Sequence, residues 1–92
     1  MYFMQDPRSA LRDSHDRNLE DLFALLRHPS ISALPDHRDD VRQTAEALAD
    51  LMRSYGIEHV RVHETAGHPI VYGDYLHAPG RPTALVYGHY DV

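Results

Sequence analysis

Ninety-two residues support one small domain at most, and their formal charge of −5, with no cluster of basic side chains, excludes nucleic acid and anionic membrane surfaces as partners. A hydrophobic content of 42% with 25% charged residues is that of a folded chain rather than a disordered one. The absence of cysteine excludes disulfides, thiolate ligands and a Cys nucleophile, and no apolar run approaches the roughly 20 residues that span a bilayer.

The opening stretch Met1-Tyr2-Phe3-Met4-Gln5-Asp6-Pro7 has neither a basic leader nor a sustained apolar core, so no signal peptide is expected and the default location is cytoplasmic. Leu19, Leu22, Phe23 and Leu26 then recur at helical spacing, with Asp13 or Ser14 as N-cap and Pro29 closing the segment. The linker from Ser30 to Pro35 leads to a second helix. It begins near Asp36 to Asp40, whose carboxylates suit the positive end of the helix dipole. Its stripe is Val41, Ala45, Leu48, Met52 and Tyr55, and Gly56 stands where a left-handed residue ends a helix.

Beyond Gly56 the apolar period becomes two. His59-Val60-Arg61-Val62-His63 predicts a half-buried strand, Ala66-Gly67-His68 a turn, and Ile70 to Tyr75 a second strand that closes a hairpin. A loop rich in turn formers, His77 to Pro82, precedes Thr83 to Tyr87, which is expected to be a buried strand. The predicted order is therefore α/β: two N-terminal helices, a β-hairpin and a buried strand.

At the end of that last strand stands Gly88-His89-Tyr90-Asp91-Val92. The carboxyl end of a strand is where α/β folds place their chemistry. A His can ligate a metal through one ring nitrogen while a carboxylate two residues on holds the other N–H. The block from Pro82 to Val92 resembles the first metal-binding strand of the zinc-dependent exopeptidases and amino-acid deacylases. Leu25 to Ser32, with its Pro-Ser-hydrophobic-Ser turn, and Ala45 to Ile57 resemble that family's first two helices.

The resemblance implies that residues 1–92 are the N-terminal portion of a three-layer α/β/α metallopeptidase catalytic domain, dipeptidase-like in character. It assigns His89 to zinc ligation and Asp91 to the catalytic centre as the carboxylate that holds the imidazole. The complete enzyme would use two zinc ions to hydrolyse a peptide or N-acyl amino acid. A catalytic zinc needs about three protein ligands, so this chain alone is expected to bind zinc weakly and to be inactive. The alternative is a truncated, non-catalytic relative with a structural or self-associating role.

The other histidines carry less. His59 and His63 lie about 13 Å apart along a strand, too far to share an ion. Together with Arg61 they read as an exposed polar face, and His15, His28, His37, His68 and His77 are expected to be solvated. A last expectation concerns association. An apolar strand at Thr83 to Tyr87 without neighbours on both sides is a template for pairing, which predicts a homodimer or larger homo-oligomer.

Overall fold

A computed structural model describes residues 6–92; the reading of Met1 to Pro7 falls mainly outside them. Three α-helices and one antiparallel hairpin form a small α/β arrangement: α1 (Pro7–Asp13), α2 (His15–Leu26), a 3-10 turn (Pro35–His37), α3 (Arg38–Ser54), β1 (Glu58–His63) and β2 (Ile70–Asp74).

Ser14, whose φ of −99° and ψ of 10° leave the helical region, separates α1 from α2 and stands at the N-cap of α2, one of the two positions expected for it. Its Oγ donates to Ala10 O at 2.8 Å beside its own N–H, which keeps the same acceptor at 3.1 Å. Asp6 caps α1 by accepting from Arg8 N at 2.9 Å, and Pro7 fills the position where a missing N–H costs nothing. The stripe of Leu19, Leu22, Phe23 and Leu26 is present on α2 but stays largely uncovered. The helix instead meets α3 through Asp21, whose carboxylate accepts from the Tyr55 hydroxyl, and Arg17 sits 4.5 Å over the Tyr55 ring.

Helix α3 is the centre of the fold. Val41, Ala45 and Ala49 are fully buried, and Thr44 beside them satisfies its hydroxyl on Asp40 O at 2.7 Å. Asp39 and Asp40 occupy the first turn, as dipole compensation predicts. The C-terminal end is a Schellman motif: Ile57 N donates to Met52 O at 3.1 Å and Gly56 N to Arg53 O at 3.0 Å, with Gly56 at φ +85°.

That turn sends the chain into β1, which pairs with β2 in the register Arg61 to Tyr72, Val62 to Val71 and His63 to Ile70. Near its start the register shifts, because His59 and Val60 together oppose Gly73 in a β-bulge. His59 takes a φ of +53°, a left-handed conformation that such bulges usually reserve for glycine. Gly73 lets the strand lie against the helix. A Cβ there would come within 2.6 Å of Ile57 Cγ2 and 2.8 Å of Met52 Cε.

The expected buried strand is not found. Residues from Thr83 to Tyr87 run outside any sheet, and Leu85, Val86 and Tyr87 are 93%, 89% and 88% exposed. Among the described residues the sheet has two strands, and three layers are not seen. The physical reason is local. An apolar run records only that burial would be favourable, and the described residues offer it no neighbouring strand. The radius of gyration, 15.6 Å, exceeds the roughly 12 Å of a compact chain of this length.

The packing of β2 on α3 makes a definite prediction. Gly73→Val should lower unfolding stability by about 1–3 kcal/mol in urea titration, through collision with Ile57 and Val60. An unchanged midpoint would show that the hairpin does not seat as closely as the structure has it.

Candidate functional site

His89 and Asp91 are brought together, as their spacing implied. His89 Nδ1 donates to Asp91 Oδ1 at 2.9 Å, while Ser32 Oγ donates to Asp91 Oδ2 at 2.6 Å. The carboxylate is thus held from two directions, and His89 Nε2 has no hydrogen-bond partner among the described residues. These two bonds, Ser32 first and His89 second, hold the Asp91 carboxyl below the usual carboxylate range.

A set of bonds from the two serines of the first loop positions this segment. Ser30, which is buried, donates from Oγ to Tyr90 O at 2.9 Å and accepts on its own carbonyl from Val92 N at 2.9 Å. Tyr90 reaches from its hydroxyl to Pro69 O at 2.5 Å, and His68 Nε2 donates to Ser32 O at 3.0 Å. Residues far apart in sequence (the loop at 30–32, the hairpin turn at 68–69 and the segment 90–92) therefore meet at one place. Burial raises the Tyr90 phenol above its usual value. Between this junction and the hairpin opens a cleft of about 500 Å³, floored by Val41 and Leu48 and walled by Ile70, Val71, Val86 and Tyr87. His89 and Asp91 lie along its rim.

Ser30, Ser32 and His68 were not singled out by the sequence as site residues. Pro29-Ser30-Ile31-Ser32 was visible as a turn, but its partners are about 60 positions away and no periodicity announces them. His68 is not simply solvated; it braces the serine loop. His37 likewise pairs with Asp40 at 2.8 Å.

In comparison with known proteins, 63 residues of the chain are 40% identical to 5-aminolevulinate synthase, erythroid-specific, mitochondrial, of Gallus gallus. The aligned stretch covers 68% of this chain and 12% of that protein, so the chain spans a small part of the relative's length. No family model matches the sequence, and no solved structure matches it.

This similarity corrects the family expectation. It lies with a synthase and not with the zinc-dependent exopeptidases and amino-acid deacylases. The dipeptidase activity, the metallopeptidase character, the truncated relative of that family and the pair of zinc ions are withdrawn with it. The segments that carry the resemblance are short, and helix and strand patterns of this kind recur in unrelated folds; the His89–Asp91 hydrogen bond shows that the two side chains meet and by itself names no family. Among the described residues, the ligand atoms that converge as a metal site would are those of Glu58, His59 and Asp74, on the hairpin.

No helix among the described residues is long and apolar enough to cross a membrane.

The anchoring of Asp91 is testable by titration. Its folded-state pKa is depressed, so the stabilisation it gives is present above the unfolded carboxylate value of about 3.9 and is lost as pH falls through the folded value. Carbon-13 NMR of the Asp91 carboxyl should show a midpoint below the ordinary one, and Ser32→Ala should move it back upward. An identical midpoint in the two proteins would contradict the Ser32 anchor.

Proposed function

We propose that the chain is a docking module that associates with a second copy of itself through the extended segment Thr83 to Tyr87. The observation that carries this reading is the near-complete exposure of Leu85, Val86 and Tyr87 in a segment whose main chain, from Thr83 to His89, makes no hydrogen bond among the described residues. Such a segment offers both an apolar surface and a row of unsatisfied donors and acceptors, which is what strand addition uses.

The partner we assign is the same segment of another copy, antiparallel about a twofold axis. From Pro82 to Tyr90 the chain carries no Asp, Glu or Arg, so the charge of −5 lies elsewhere and does not oppose close approach. Burying the six apolar side chains of two copies contributes on the order of 10 kcal/mol. That is close to the roughly 4–15 kcal/mol lost in bringing two molecules together. The main-chain bonds then tip the balance, and a dimer of modest, concentration-dependent affinity results.

A second reading is favoured by the bonds from Ser32 through Asp91 to His89 and by the stretch shared with a synthase. In it, His89 acts as a proton-transfer group at the cleft rim, and Asp91 fixes its tautomer. The chain contains no lysine, so no lysine Schiff base with a carbonyl group can form on it. The module, in this reading, contributes to a site completed by other residues. A cytoplasmic location belongs to the proposal as well, beside a relative whose name places it in the mitochondrion.

Light scattering coupled to size exclusion tests the docking reading. A dimer that dissociates on dilution is expected, and Leu85→Lys and Val86→Pro should each give a folded monomer with unchanged far-ultraviolet circular dichroism. A wild-type monomer at every concentration, or dimers that persist in both variants, would contradict it.

A further inference from the structure

The β-bulge at the start of the hairpin gathers four possible metal ligands that neither the docking surface nor the His89–Asp91 pair uses. Glu58 and His59 begin β1, Asp74 ends β2, and His77 follows in the loop. His59 Nδ1 lies 2.7 Å from Asp74 Oδ1, and His77 Nε2 lies 2.7 Å from Glu58 Oε1. One ligand atom each from Glu58, His59 and Asp74 falls within 4.8 Å of the other two. An ion about 2.0–2.2 Å from each ligand needs its donors roughly 3–4 Å apart. These three therefore require only small side-chain shifts to close around one, and His77, which meets Glu58 alone, must swing further to join them.

The surroundings orient these ligands. Tyr72 donates from its hydroxyl to Asp74 Oδ2 at 2.9 Å, leaving Oδ1 for the interior of the cluster. A polar group that bonds the outer oxygen of a ligating carboxylate is a usual companion of a metal site. His59 reaches Asp74 from a left-handed backbone, at the bulge that breaks the strand register. In a regular strand His59 would take the alternation of its neighbours. The bulge sets its side chain toward the end of β2 instead. Asp74 is the least exposed member, its side chain 17% accessible against 74% for His59.

We propose that Glu58, His59, Asp74 and His77 bind one divalent first-row transition-metal ion, which joins both ends of the hairpin to the loop that follows it. Two imidazoles with two carboxylates favour ions of the cobalt-to-copper range over magnesium or calcium, which prefer oxygen donors alone. The site shares no residue with the cleft. Its role is structural: the ion fastens the bulge that seats Gly73 against α3, and with it the loop leading to Thr83.

Cobalt(II) is the probe, because its visible absorption reports coordination number as well as binding. The full chain should bind one equivalent, with the intense bands of a tetrahedral ion, and its thermal midpoint should rise with cobalt and stay unchanged with magnesium. His59→Gly removes a ligand while relieving the left-handed backbone, so it should fold at least as well as wild type and yet lose more affinity than the roughly tenfold that loss of a ligand's supporting partner costs. Asp74→Asn and His77→Ala should weaken binding comparably, and His89→Ala should not. Binding that is weak and spread over several equivalents, or one-to-one binding that survives His59→Gly, would overturn the proposal. So would loss of binding in His89→Ala alone.

Discussion

The seating of the hairpin against helix α3 is the contact on which the rest of the structure depends. Val41, Ala45 and Ala49 are the fully buried apolar side chains, and all three belong to that helix. Small residues on the helix and a glycine on the strand let the two backbones come close. Ile57, held by the Schellman turn, fills the space where a Gly73 side chain would stand. The hairpin turn then positions Pro69 and His68 to receive Tyr90 and the serine loop. A hairpin alone is marginal in water, so without the helix neither the cleft nor the anchored segment would persist.

A core this small has a consequence for the surface. The chain is expanded for its length, and the apolar faces of α2 and of the segment after Pro82 are uncovered. Folded monomers seldom leave such contiguous apolar surface in water, and where it occurs it usually marks an interaction site. The docking segment is anchored at its carboxyl end by Ser30, Ser32 and Pro69 and joined at the other through the loop that leaves β2. That combination presents an edge in a fixed direction, which suits pairing better than a loose tail would.

Local order was legible in the residues themselves. The α3 stripe, the left-handed exit at Gly56 and the antiparallel hairpin follow from periodicity and turn chemistry, because each depends on neighbours a few positions away. Three things were not legible. Helix α1, ahead of the boundary that Ser14 marks as N-cap of α2, has only Ala10 and Leu11 as apolar residues and so shows no stripe. The burial of Thr83 to Tyr87 depends on a neighbouring strand, and hydropathy cannot say whether one is there. The site at Asp91 needs a serine 59 positions earlier. The His-Tyr-Asp spacing located a real pair of interacting side chains, but the family read from it is overturned by the similarity to a synthase, because so short a signature does not name a family. The cluster at Glu58, His59, Asp74 and His77 escaped notice for a different reason. Strand alternation assigned His59 to an exposed face with His63, whereas the bulge turns it toward the end of β2.

Amide hydrogen exchange at Ala84, Leu85, Val86 and Tyr87, followed as a function of protein concentration, tests the central claim most directly. If the segment pairs between copies, those amides exchange at the rate of free peptide in dilute solution and become protected as concentration rises, while amides of α3 remain unchanged. Exchange at the free-peptide rate at every concentration would contradict the account. So would protection that is already complete in the dilute monomer.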